Sequence, residues 1–496
     1  MSSKFYHRIL NYTLWIFLGL GFLLDKISST NFNMDEYQHT YLAWATNNFD
    51  MVQYRDFWDN HGILYTLFNS LILKIFQPEI GVPTLILERY ANLALLVIGF
   101  YVLFEIFYEI SSKINYAGLG FLFFSFSFIS IKAIEVRPDN LQCLFLYLAL
   151  ITLFKALKLR KNKLAFIAGL FITLMLMTNL KSVSALMGIG FGLLMAFAYE
   201  RSKSLAGLIL WLVIGLVSGL LLFTFGFLSW GILDDYIKWN VIFNLDYTRL
   251  GFWPASTREL IIYFTKKYLF LNLCTLISFL ICLIFTLKNL KKQRYEFLVI
   301  CSIITYCLIS RSIYLFWTQF DLLYLPLAYC ILSYLIFLGF TIKFNQKIKK
   351  IIGLVLIIGF SYLVTSSYLR YIKNSNKTID YFNMVQKRFT DINKFLRPGE
   401  YTDYYVSGNC PGFGFNPNLS HLLHKFSQTI FLVEKIEKKE IYSASYIKNL
   451  NDKKVRLLIG TPDGVSSTQY VEVRNYIFKN YKYYNCIWER ITPFDD

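Results

Sequence analysis

Between Asn31 and Phe68 the chain sets five carboxylates, Asp35, Glu36, Asp50, Asp56 and Asp59, among His39, Arg55 and His61. A carboxylate held in a cleft can take the proton of an attacking hydroxyl, a contribution worth about 10²–10⁴-fold in rate. If Asp35 opens a helix, His39 four residues on shares its face, while Glu36 is turned roughly 100° away. Only one of the Asp35-Glu36 pair can then be aimed at a given reacting atom. The plain alternative is a helix start, with Asn33 as cap and Glu36 three residues later in a capping-box pattern. On the same footing His39 is a packing group on that helix, and Asp56 is the ion-pair partner of Arg55 or Arg89.

A second set of ionisable residues recurs between later apolar runs. Arg89 stands near the start of one run. Lys132, Glu135, Arg137 and Asp139 crowd the stretch IKAIEVRPDN, Lys181 lies in NLKS, and Arg311 precedes Gln319 and Asp321. Ionisable groups near membrane depth cost a few kcal/mol each and by default mark a site or pathway. Arginine and lysine can grip a phosphate and stabilise charge growing on it as a bond breaks. One base with several cations suits transfer of a group from a lipid phosphate. Phosphate leaves without a proton, so the acid partner of a glycosidase is dispensable. The bland readings are first-turn decoration for Asp139 after Pro138 and snorkelling to headgroups for Lys181 and Arg311.

The elements that must position these groups are membrane helices. Of 496 residues, 55% are hydrophobic and 17% charged, below the quarter typical of soluble domains. Apolar runs long enough to cross a bilayer are expected at Ile9–Leu24, Val82–Tyr108, Tyr116–Ile131, Pro138–Leu157, Leu164–Leu180, Val183–Tyr199 and Leu205–Trp230. Four more follow at Tyr268–Leu287, Phe297–Arg311, Gln319–Thr341 and Ile351–Leu369. Ile63–Phe76 is apolar but short and reads as interfacial. The first run is followed by Asp25-Lys26 rather than a cleavage site, and is read as a retained helix.

The formal charge of +18 is a topology signal and not a nucleic-acid footprint. Its basic clusters (Lys155 to Lys163, Arg201 with Lys203, Lys288 to Arg294, Lys343 to Lys350) fall in alternate loops, as the positive-inside rule requires. With a cytoplasmic N-terminus, about eleven spans put those clusters inside. Loop 25–81, the other ionisable sets and the C-terminal segment are then outside.

After Leu369 the chain turns polar. A helix is expected over Lys377–Leu396, strands at YYVSG, VRLLIG and YYNCIWERI, and a helix over Val471–Asn480. Together these make a small α/β domain. Six cysteines (Cys143, Cys274, Cys282, Cys301, Cys307, Cys330) sit in or beside apolar runs and read as packing groups. Cys410 and Cys486 lie in the polar segment, where a disulfide is open. No His/Cys spacing calls for a metal.

The DE pair, the downstream YRDFWDNHGILY, ERY at the next span and EVRPDN on the following turn resemble the dolichyl-phosphate-mannose protein mannosyltransferase-like proteins. That family, glycosyltransferase family 39, has the GT-C fold. TQFDLLYLPLAY resembles the family's aromatic-Leu-Pro stretch, and the lysine of TNLKS falls where bacterial members often have one. Where many members have PPL, this chain has HGIL. The resemblance implies an inverting transferase using a polyprenyl-phosphate sugar. Asp35 matches the family's catalytic aspartate, with Glu36 beside it and Asp139 in the second acidic motif. Arg137, Lys181, Arg311 and Arg89 would be cations on the donor phosphate; His39, Arg55, Asp56 and His61 would support the loop and acceptor.

The expectation is therefore a mainly α, polytopic helical bundle of GT-C type, residues 1–370, with an extracytoplasmic α/β domain over 371–496. Its substrates would be a polyprenyl-phosphate-linked sugar and a lipid, glycan or protein acceptor at the outer membrane face. No cofactor is required, although a divalent metal shared by carboxylates such as Asp35 and Asp139 stays open. The rivals are a transporter or flippase, disfavoured by the lack of related halves, and a non-catalytic assembly protein.

Overall fold

A computed structural model describes residues 3–242 apart from 33, 57, 58, 60, 80, 112–114 and 128. It further describes 244, 280, 283, 284, 286, 287, 295–313, 321–341, 380–384, 386, 387, 402–404, 447, 448, 450, 451, 456–459, 471–484 and 487–492. The chain divides into two compact units. One gathers residues 1–30, 89–226 and 253–376, the other 31–88, 227–252 and 377–496.

The first unit is a helical bundle. It holds α1 (Ser3–Ser29), most of α4 (Val82–Ser111), α5 (Asn115–Phe126), α6 (Ile129–Ile134) and α7 (Asp139–Leu159). α8 (Asn162–Thr178), α9 (Val183–Glu200) and α10 (Lys203–Ser229) follow, and after the short α11 (Leu233–Tyr236) of the other unit come α12 (Glu296–Ile313) and α13 (Asp321–Thr341). Among the described residues five segments are long and apolar enough to cross a membrane: Leu10–Ile27, Val82–Ile110, Asp139–Leu159, Leu180–Glu200 and Lys203–Ser229. α5, α8, α12 and α13 occupy four further expected spans. Of the expected span Tyr268–Leu287, residues 280, 283, 284, 286 and 287 are described and helical, and Ile351–Leu369 lies wholly outside the described residues.

The third expected span, Tyr116–Ile131, is not one helix. α5 stops at Phe126 and α6 restarts at Ile129. Serine chemistry explains the break. The Ser127 amide turns back to the carbonyls of Phe123 and Phe124 at 3.1 and 2.9 Å, and the Ser130 hydroxyl donates to those of Ser125 and Ser127 at 3.0 and 2.8 Å. Lys26 of α1 also supplies donors to this gap. Serine hydroxyls compete with the backbone ladder in this way, and freed carbonyls at membrane depth need such partners.

α8 and α10 meet backbone to backbone. A Cβ on Gly169 would run into the Leu212 carbonyl, and one on Gly215 into that of Phe166. Small residues permit this approach where no water drives helices together. Cys143, Cys301, Cys307 and Cys330 are buried and unbridged, as packing groups should be; Cys274, Cys282, Cys410 and Cys486 lie outside the described residues.

In the second unit α2 (Met34–Phe49) packs on α3 (Ile63–Phe76). Tyr37, Tyr41, Leu42 and Ala45 recur at helical spacing and close a core with Phe32, Met51 and Leu85, on which Tyr381 and Phe382 also lie. A four-stranded sheet runs β1 (Thr402–Tyr404), β2 (Leu457–Ile459), β4 (Ile487–Arg490), β3 (Tyr481–Tyr484), with β1 and β2 parallel and the other pairs antiparallel. α14 (Val471–Asn480) joins it through Val473 and Ile477, which pack with Leu458, Tyr481 and Trp488.

Helix α14 has the expected bounds. The expected last strand, YYNCIWERI, is instead the end of β3 and the whole of β4, a hairpin in register Tyr484↔Ile487. Its two apolar halves merge in sequence because the connection between them is so short. Of the strand expected at YYVSG, Tyr404 lies in β1 and residues 405–408 lie outside the described residues. Of the helix expected over Lys377–Leu396, residues 380–384, 386 and 387 are described and helical.

Candidate active site

Asp35 and Glu36 occupy the first turn of α2, where the helix dipole favours carboxylates. They face different environments, as their angular separation requires. Asp35 is half-buried and Glu36 fully buried. Thr40, one turn beyond Glu36, donates its hydroxyl to Glu88, also fully buried. Asn33, the expected cap, is outside the described residues.

His39 points inward as well, and there it meets the loop that follows α2. Its Nδ1 lies 3.7 Å from Oδ2 of Asp59, whose other oxygen is 2.8 Å from His61 Nδ1. The His61 amide donates to the same Oδ1 at 3.1 Å. The two imidazoles meet edge to face at 4.8 Å, and the Tyr65 ring of α3 stands against His39 at 5.2 Å. Burial pushes the Asp59 carboxyl up, but contacts with His61 and His39 outweigh it and hold the group below the usual carboxylate range. Side chains of His39 and Asp59 are 2% and 1% exposed and that of His61 is 13%, so His61 is the side open to solvent.

The loop is held by its own side chains. Gln53 Nε2 and the Tyr54 hydroxyl both donate to the His61 carbonyl, at 2.8 and 2.5 Å. Tyr54 accepts a φ of +75° to do so, an arrangement that costs a non-glycine residue about 1 kcal/mol or more. Burial pushes its phenol well up, with the nearby Tyr236 and Asp59 adding to the effect. Asp56 pairs with Arg55, at 2.7 Å from Nη2 to Oδ2, and takes the Val52 amide at 2.8 Å. Arg55 is exposed, and its hydrogen bond to Asp56 raises its pKa.

The other unit carries the second cluster, a ladder of alternating charge at the head of α7. Lys132 Nζ lies 2.6 Å from Glu135 Oε1, and Glu135 Oε2 lies 3.8 Å from Arg137 Nη1. Arg137 Nε is 3.2 Å from Asp139 Oδ2, and Asp139 Oδ1 is 3.8 Å from Lys181 Nζ. The ladder has three cations and two carboxylates, and Glu135, Arg137 and Asp139 are buried. Backbone clamps hold its two strands of chain. Asn140 donates to the carbonyls of Asn92 and Ala133, and Gln142 Nε2 donates to Ser182 Oγ at 2.7 Å, beside the Lys181 turn.

Of the residues singled out in the sequence, His39 and His61 come together in one unit, and Arg137, Asp139 and Lys181 in the other. Arg89 is fully buried, and its Nη1 donates to the carbonyls of Ile27 and Thr30, each at 2.8 Å. It caps the end of α1, a role its sequence position near a span start did not disclose. Arg311 lies in α12, its side chain outside the described residues. Asp59, one carboxylate among five in the sequence, proves to be the one that joins two histidines. No spacing rule links His39 to it, because the pairing joins a helix to a loop twenty residues away.

No protein-family model matches this chain, and no curated protein matches it. Among solved structures, the Archaeoglobus fulgidus oligosaccharyltransferase, crystallised in complex with Zn and sulfate, is similar to it at 13% identity and a TM-score of 0.43. The alignment covers 72% of this chain and 52% of that one, so the chain spans about half the length of that protein. A likeness this loose carries no argument about chemistry, which has to come from the residues of this chain.

Proposed function

We propose that this chain is an integral-membrane glycosyltransferase that moves a sugar, with inversion, from a polyprenyl-phosphate-linked donor to a lipid, glycan or protein acceptor at the non-cytoplasmic face. In this reading Asp35 takes the proton of the acceptor hydroxyl. It is the more accessible carboxylate of the Asp35-Glu36 pair. Arg137 and Lys181, with Arg311, hold the donor phosphate, and Asp139 orients the two cations it touches. Residues 1–370 would form the transferase module and 371–496 an extracytoplasmic domain.

The observation that carries the reading is the ladder from Lys132 to Lys181. Its net positive charge sits at the head of a membrane-capable helix, where a lipid-borne phosphate is the anion within reach. Desolvated cations in that position gain strength as charge develops on the leaving phosphate. Arg89 is left out of this set because its guanidinium is engaged by the end of α1.

The test is turnover of radiolabelled polyprenyl-phosphate hexoses and pentoses by the purified protein, with native membrane extract as acceptor source. Label should move to a new product, and Asp35→Asn should slow that transfer about a hundredfold or more. Donor binding without turnover in either protein would favour a transporter, and equal turnover in both would remove Asp35 from the chemistry.

A further inference from the structure

We infer that His39, Asp59 and His61 form a binding site for a single divalent transition-metal ion of the zinc class. The site rests on α2 and the loop that follows it, and does not depend on the transferase reading.

One ligand atom from each of the three residues lies within 4.8 Å of the other two. Ligands around a zinc ion sit about 2.0–2.2 Å from it, so small side-chain rotations bring all three into a first coordination sphere. Two imidazole nitrogens with one carboxylate oxygen suit zinc, cobalt, nickel or iron. Calcium and magnesium ask for six or more oxygen ligands, and the cluster supplies one carboxylate.

Charge points the same way. Asp59 is fully buried, and among the described residues its ion-pair partners are His39 and His61. An ionised carboxylate out of water costs several kcal/mol unless a cation meets it. A divalent ion held by Asp59 and one nitrogen of each imidazole would meet that buried charge directly.

The ligands are also held in place beforehand. The His61 backbone is fixed by the hydrogen bond its amide donates to Asp59 and by the two donors on its carbonyl, and His39 is fixed by Tyr65 and by the helix that carries it. Ligands on rigid supports lose little freedom on binding, and supporting hydrogen bonds of this kind tune affinity. Three protein ligands leave a fourth tetrahedral position for water, and the partly exposed His61 marks the side from which solvent reaches it.

The experiment uses the full-length protein in detergent, freed of any histidine tag. Metal content is measured as purified, the protein is stripped with EDTA, and Co²⁺ is titrated in as a zinc surrogate whose visible absorption reports tetrahedral ligation. The expected result is one Co²⁺ per chain, displaced by Zn²⁺. His61→Gln and Asp59→Asn should each weaken binding on the order of 100-fold, with Asp234→Asn, an exposed control, unchanged. His61 is the most exposed of the three, so its variant keeps the test open if substitutions at His39 or Asp59 do not fold. No Co²⁺ spectrum in the folded wild type would overturn the inference and leave the cluster as a hydrogen-bonded His–Asp–His group. Binding that survives His61→Gln at full strength would overturn it too.

Discussion

Lys26 of α1 reaches Ser125 at the broken end of α5, its Nζ donating to the Ser125 carbonyl at 2.6 Å and to that of Ser127 at 3.2 Å. The ammonium thus occupies the gap between α5 and α6 and shares with Ser130 the two carbonyls that the missing helical turn leaves over. Both partners are needed for the break to be tolerable in a membrane.

Lys26→Met should therefore destabilise the helical bundle by about 2 kcal/mol, the worth of charge-assisted hydrogen bonds that Ser130 alone only partly replaces. A lower midpoint in detergent thermal unfolding would show it. An unchanged midpoint would mean the gap is satisfied without Lys26.

Arg89 and Lys181 were equivalent cations in the sequence and are not in the structure. Arg89→Met removes the cap on α1 and should cost about 3 kcal/mol or more, with little change in KM for donor in the protein that remains folded. Lys181→Met should do the reverse, raising the KM for a polyprenyl-phosphate donor with a smaller loss of stability. Comparing the two variants by thermal unfolding and by donor titration separates the roles. The expected order would be refuted if Arg89→Met raised the KM more than Lys181→Met.

The crossing of α8 and α10 has no room for a methyl group at either glycine. Gly169→Ala and Gly215→Ala should each destabilise by about 1–3 kcal/mol through overpacking. Because both act on one crossing, the double variant should cost less than the sum. Additive losses would argue that the helices adjust at each glycine separately.

Tyr54→Phe keeps the ring, which packs 5.4 Å from Tyr236, and removes only the hydroxyl bonded to His61. The cost should be about 1 kcal/mol. Amide exchange over residues 53–61 should quicken while the rest of α2 stays protected. Uniform loss of protection would show that the bond supports the whole unit rather than the loop.

Some of this was legible beforehand for identifiable reasons. α3 has its expected bounds, Ile63–Phe76, because Gly62 precedes it and a left-handed Gln77 closes it, so the apolar run ends where the helix does. α7 begins at Asp139 because Pro138 can open a helix but not continue one. The break at Ser127 was hidden because FFSFSFIS is apolar enough throughout to average as one span. The pairing of Arg55 with Asp56 was one of two readings left open, and adjacency decided it. The Asp35 loop stood out by charge alone. Its inner arrangement did not, since joining His39 to Asp59 depends on how α2 lies against the returning chain, and composition is silent about that.

The unit that carries Asp35 also draws on chain made much later. Tyr381 stands 3.3 Å from the Phe32 carbonyl and from the Tyr37 hydroxyl, and Gln386 takes the Val82 amide at 3.0 Å. Those partners are separated by 304 to 349 residues. At synthesis rates of about 5–20 residues per second, the early loop waits roughly 15–70 s for them. During that interval Phe32 and Tyr37 lack part of their final cover, and the loop is open to proteases and chaperones. The cover over the start of α2 is therefore completed late in synthesis rather than as the loop itself emerges.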